Sequence, residues 1–141
     1  MTKCDVDLSA EVEIEIPFHD CDPAGVTWHG NYFRYFEVAR CALLDKIDYD
    51  YLQMDKSGYA WPVVDTRVKF TRPTVFRQRI KVRATLDEYE IRLKIAYLIS
   101  DVGSGERLTK GYTVQVAVEQ SSNEMCYCSP QILIDRVRRC A

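Results

Sequence analysis

The stretch His19-Asp20-Cys21-Asp22-Pro23-Ala24-Gly25-Val26-Thr27-Trp28-His29-Gly30-Asn31-Tyr32 separates two kinds of periodicity in the chain. Before it, Val12, Ile14, Ile16 and Phe18 alternate with Glu11, Glu13 and Glu15. Period two predicts a half-buried strand, and Pro17 ends that strand or places it at a sheet edge. After it, Tyr32, Phe33, Phe36, Ala39, Leu43, Leu44 and Ile47 recur at three- and four-residue steps. That spacing predicts a helix over residues 31–47 with a wide apolar face. The stretch between is rich in Asp, Pro and Gly and reads as a loop.

Working outward, residues 49–56 predict a shorter helical piece closed by Gly58 at the C′ position. Strands follow. Val64, Thr66, Val68 and Phe70 form one alternating set, and Ile80, Val82, Ala84 and Leu86 a second. Ile91, Leu93, Ile95, Tyr97 and Ile99 form the longest. Asp101-Val-Gly-Ser-Gly105 has the composition of a hairpin turn. Leu108, Tyr112, Val114, Val116 and Val118 continue the pattern, and residues 132–139 predict a short basic helix. The fold class is therefore α+β: one long helix wrapped by an antiparallel sheet of about five strands, in a single domain over 1–141. Such a sheet has open edges, which a two-fold dimer would pair.

Composition fits that reading. The chain has 141 residues, 47% of them hydrophobic, so a core can form without staples. A net charge of −2 gives no general attraction to nucleic acid or to anionic membranes. The N-terminal residues lack an apolar signal region and no run is long enough to span a membrane, which predicts a cytoplasmic protein. Reduced thiols are then expected at Cys4, Cys21, Cys41, Cys126, Cys128 and Cys140. Cys126 and Cys128 form a C-x-C pair without two nearby further ligands, so neither a metal nor another cofactor is expected.

Chemistry concentrates in the opening stretch. Two carboxylates lie within three residues, and the helix is due nine residues after Asp22. A helix start offers unpaired N–H groups and partial positive charge, which can hold the oxyanion formed on an attacked carbonyl. A carboxylate facing it can attack that carbonyl or activate water. Together they suit acyl transfer without Ser or metal.

Asp20-Cys21-Asp22-Pro23-Ala24-Gly25, then the pair Trp28-His29, then Asn31-Tyr32, then Phe36-Glu37 and Ala39-Arg40, strongly resemble the 4-hydroxybenzoyl-CoA thioesterase-like (YbgC-type) hot-dog family. Pro73 also matches an Arg-Pro step of that family. The resemblance covers essentially the whole chain. It implies a hot-dog fold and hydrolysis of acyl-CoA or acyl-carrier-protein thioesters, with Asp22 as catalytic carboxylate. It also implies a carbonyl-polarising N–H at His29, and a substrate pocket around Gly25, Val26, Trp28, Asn31 and Tyr32. The family forms homodimers or homotetramers, dimers of dimers, with the pocket between subunits.

Other readings attach to the same residues. Asp22 before Pro can be a turn former. Asp20 is expected to support the loop, and Gly25 to take positive φ. Asn31 is a helix cap or a pocket residue. Tyr32, Phe33 and Phe36 are expected mainly in the core. Glu37 and Arg40 can pair on the helix, and Glu37 is the rival nucleophile. Cys21, flanked by two carboxylates, is disfavoured as a thiolate nucleophile. The family's basic cluster after its third strand is replaced here by Leu86-Asp87-Glu88-Tyr89-Glu90. Lys69, Arg72, Arg77, Arg92 and Lys110 are the available phosphate partners for coenzyme A. That departure keeps an acyl carrier protein open as the thioester donor, and a non-catalytic acyl-pantetheine-binding module as an alternative to an enzyme.

Overall fold

The computed structural model describes residues 6–140; Cys4 and the extreme N-terminus lie outside them. In chain order the first elements are β1 (Ser9–Glu15), two single-turn 3-10 helices (Phe18–Asp20 and His29–Asn31), α1 (Tyr32–Lys46), α2 (Tyr51–Lys56) and β2 (Tyr59–Ala60). The rest are β3 (Val63–Phe70), β4 (Arg79–Glu88), β5 (Leu93–Asp101), β6 (Arg107–Gln115), β7 (Val118–Glu119), β8 (Glu124–Met125) and α3 (Gln131–Cys140). Five strands form one antiparallel sheet in the order β1-β4-β5-β6-β3, and β2, β7 and β8 form a small second sheet. That second sheet has too few residues per strand for alternation to register.

Helix α1 packs mainly over β1 and β4. Its buried face is Tyr32, Tyr35, Phe36, Ala39, Arg40, Leu43 and Leu44, and Phe36 reaches β5, stacking on Tyr97 with ring centroids 4.4 Å apart. Each such large side chain contributes about 1.5–3 kcal/mol by leaving water. Gly111 on β6 makes this approach possible: a Cβ there would lie 2.6 Å from the Arg67 carbonyl and 3.1 Å from the Phe36 ring. One long helix seated on one face of a single antiparallel sheet is the hot-dog arrangement.

Three expectations need correcting. Phe18 does not continue β1; it opens the 3-10 turn and is 74% exposed, because Pro17 turns the chain out of the sheet. Phe33 is half exposed, since it lies on the flank of α1 turned away from β1 and β4. On β6 the alternation holds only at its start: Leu108 joins the core, but Tyr112 and Val114 stand opposite Ala96 and Lys94, on the face away from α1. Leu93, Ile95, Tyr97 and Ile99 face the helix side, and their partners across the ladder are Gln115, Thr113, Gly111 and Thr109. The helix-facing side of β6 is therefore polar yet buried. Tyr97 and Thr113 share a 2.8 Å hydrogen bond, whereas Thr109 Oγ1 and Gln115 Oε1 find no partner.

Candidate active site

Residues 19–31 are held by their own backbone and by one neighbouring segment. Asp22 N–H donates to the Val26 carbonyl at 2.8 Å, and Gly25 N–H to the Asp22 carbonyl at 2.9 Å. Gly25 has φ +83°, the left-handed conformation that a side chain would strain. Val26 pairs with Val75 as a bridge, and Thr27 N–H donates to the Thr74 carbonyl at 2.8 Å. The Thr74 hydroxyl bonds to Thr27 Oγ1 at 2.6 Å and to the Tyr32 hydroxyl at 3.0 Å. Pro73 leads directly into this buried clasp. The loop is thus tied to the helix start and to the β3–β4 connection at once.

The two carboxylates have separate environments. Asp20 is 2% exposed. It accepts from the Tyr35 hydroxyl at 2.7 Å and from Arg34 at 3.1 Å, with His19 Nε2 at 3.6 Å. Its carbonyl accepts from Trp28 N–H and Asn31 Nδ2. Burial, with the Asp20 carboxylate beside it, pushes the Tyr35 phenol well above its ordinary pKa, so the phenol stays a donor. Asp22 is half-buried. Its Oδ1 accepts from Ala24 N–H at 2.9 Å, the turn-forming bond. Among the described residues no group pairs with its Oδ2.

Helix α1 starts through the short turn His29–Asn31. The Asn31 N–H donates to the Trp28 carbonyl at 3.0 Å, so the N–H groups of His29 and Gly30 precede the first helical bond and lack an intrahelical acceptor. The Trp28 ring lies over Gly30, where any side chain would collide with it. The exposed His29 ring stands between Trp28, at 5.2 Å, and Phe70, at 6.4 Å. Asn31 makes no side-chain cap; it bridges the Asp20 carbonyl and Arg34 instead. Tyr32 is buried with its hydroxyl on Thr74 and its ring against Phe70, 5.0 Å away. The sequence pattern missed Thr74, Tyr35 and Arg34, because Thr or Arg at one position carries no periodic signal.

Glu37 is committed elsewhere. Its carboxylate accepts from Arg40 at 2.7 Å, and Arg40 also donates to the Tyr51 hydroxyl at 2.7 Å. The acidic stretch at the end of β4 is neutralised locally. Asp87 pairs with Lys94 at 3.5 Å, Glu88 with Arg92 at 3.1 Å and Glu90 with Arg138 at 3.8 Å. Among the described residues no three His, Cys, Asp or Glu side chains gather as a metal site, and no helix is long and apolar enough to cross a membrane.

Known proteins share this architecture. YneP of Bacillus subtilis (strain 168), provisionally named an acyl-CoA thioesterase, is 28% identical over 111 residues, covering 78% of this chain and 80% of its own length. The crystal structure of a DHNA-CoA thioesterase from Staphylococcus aureus is 29% identical, covers 85% of this chain and 80% of that one, and superposes with a TM-score of 0.78. The 1,4-dihydroxy-2-naphthoyl-CoA thioesterase Slr0204 from Synechocystis shares the fold at 20% identity, with a TM-score of 0.82 over 92% of this chain and 96% of its own. The family model of the Thioesterase-like superfamily matches residues 16–140, and the chain belongs to that family.

Proposed function

We propose that this protein is a thioester hydrolase acting on acyl-CoA, with Asp22 as nucleophile or general base and the N–H groups at His29 and Gly30 as the oxyanion hole. The observation that carries the reading is the division of labour between the two carboxylates. Asp20 absorbs the cations and the buried phenol, while Asp22 keeps one oxygen free beside a helix start. As a nucleophile, that oxygen attacks the thioester carbonyl and coenzyme A thiolate leaves; water then cleaves the acyl-aspartyl anhydride. As a base, it takes a proton from the attacking water. Either way charge develops on the carbonyl oxygen, where the helix start stabilises it. Membership in the Thioesterase-like superfamily supports the reaction class.

The pocket is completed by a second copy of the chain. β3 is an edge strand with Val63, Val64 and Phe70 about half exposed, and the Phe70 ring lies 6.4 Å from that of the exposed His29. Pairing β3 with its two-fold mate covers these residues and encloses the acyl group over Gly25, Val26 and Trp28; a dimer of such dimers, working in the cytoplasm, completes the assembly. The local pairing of Asp87, Glu88 and Glu90 removes most of the charge conflict with coenzyme A phosphates and favours acyl-CoA over a carrier protein. The test is a panel of aliphatic and aromatic acyl-CoAs with a thiol reagent, run on wild type and Asp22→Asn. Wild-type turnover that Asp22→Asn lacks supports the assignment; binding without turnover by the wild type favours a non-catalytic module.

A further inference from the structure

We propose that the outer face of the main sheet carries a separate binding site for a nucleoside polyphosphate. A cleft of about 650 Å³ opens there, within the range of small-molecule sites, roughly 300–1,000 Å³. Strand register explains its shape. On β5 the odd-numbered side chains turn toward α1, so Lys94, Ala96 and Leu98 turn outward. Ala96 stands between Thr85 and Tyr112, and Leu98 between Arg83 and Lys110. Beyond them, Arg67 stands opposite Tyr112, and Lys69 opposite Lys110. A low apolar floor is therefore bounded by long side chains from three other strands.

The charge of this cleft departs from that of the molecule. The chain carries −2 overall, yet the cleft is lined by Arg67, Lys69, Arg83, Lys94 and Lys110 with Asp87; Arg83 is engaged by Glu11 at 3.8 Å, and Asp65 accepts from the Tyr112 hydroxyl at 3.5 Å. Lys94 is fixed by Asp87 at 3.5 Å and by the Tyr112 ring, 4.6 Å to its centroid. Lys69 and Lys110 occupy directly opposite positions, where like charges destabilise a ladder. The fold does not require a lysine at either outward position. A polyanion between them removes the repulsion and gains charge-assisted hydrogen bonds. Phosphates fit the basic rim, and a nucleoside fits the floor of Ala96 and Leu98. A second copy docking by two-fold symmetry would oppose positive to positive. A broad acidic protein surface would leave the concave floor empty. No residue from 19 to 32 lines the cleft, and Lys69 and Lys110, which the sequence made available to coenzyme A phosphates, stand opposite each other on this outer face.

Isothermal titration calorimetry of the whole protein with ATP, and separately with inorganic triphosphate, tests this directly. ATP is expected to bind in the micromolar range, more tightly at low salt, and to weaken by about tenfold or more in the Lys69→Gln/Lys110→Gln double variant. Triphosphate is expected to bind more weakly than ATP. Absence of ATP binding, binding undiminished in the double variant, or ATP binding abolished by saturating coenzyme A overturns the proposal of a separate site; triphosphate binding as tightly as ATP overturns its nucleoside half. Calorimetry needs no turnover, so loss of the thioesterase reading would leave this result standing.

Discussion

Asp20 and Asp22 are two residues apart, of the same type, and opposite in circumstance. Asp20 is buried with three polar partners, whereas Asp22 spends one oxygen on the Ala24 turn and leaves the other open. Glu37, the third carboxylate in reach of the argument, is held by Arg40 at 2.7 Å. Glu37→Gln is accordingly expected to keep kcat/KM within about tenfold of wild type, a loss under roughly 1.4 kcal/mol, as measured by thiol release from acyl-CoA. A collapse to background would move the catalytic role onto α1. The motif and its family resemblance pointed to Asp22 for chemistry and Asp20 for support, but the sequence did not reveal which groups hold Asp20. Asp20's partners come from α1, residues 34 and 35, and a pairing set by helix docking leaves no mark on local periodicity. Asn31 illustrates the same limit: its type suits a cap, yet its side chain is drawn to the Asp20 carbonyl.

The elements themselves were largely legible. Strand β1, helix α1, strands β4 and β5 and the turn after Asp101 follow the alternation and the three-to-four spacing, because each buries one face against the other layer. The failures occur where that condition lapses. β3 alternates in sequence, but α1 lies mainly over β1 and β4, so Val63, Val64 and Phe70 stay about half exposed at the sheet edge and only Val68 packs on the core. β6 turns threonines and a glutamine toward the helix side, so Tyr112 and Val114 mark the other face and Leu108 alone of the strand's pattern joins the core. The uncovered β3 carries a prediction. Val64→Lys, a charge placed on an open edge, is expected to shift the protein toward monomer in sedimentation velocity and to lower turnover with it. A variant that stays dimeric and active would argue against closure of the pocket through β3.

At the scale of the whole molecule, phenols that the fold keeps protonated contribute stability that alkali removes. Burial raises Tyr97 and Tyr35; Tyr51, 36% exposed, is pushed up to about 12 by partial desolvation, against the pull of the Arg40 guanidinium toward the phenolate. A phenol is titrated near 10 in the unfolded chain. These groups contribute full stability below about pH 10, and it is lost as pH rises toward about 12. Urea unfolding at stepped alkaline pH should show that decline, and a flat profile would contradict it. The most direct test is the turnover number of Asp22→Asn on an acyl-CoA that the wild type hydrolyses, with the unfolding transition measured alongside. The account predicts a fall of roughly 10²–10⁴-fold with an unchanged transition; turnover near that of the wild type would contradict it.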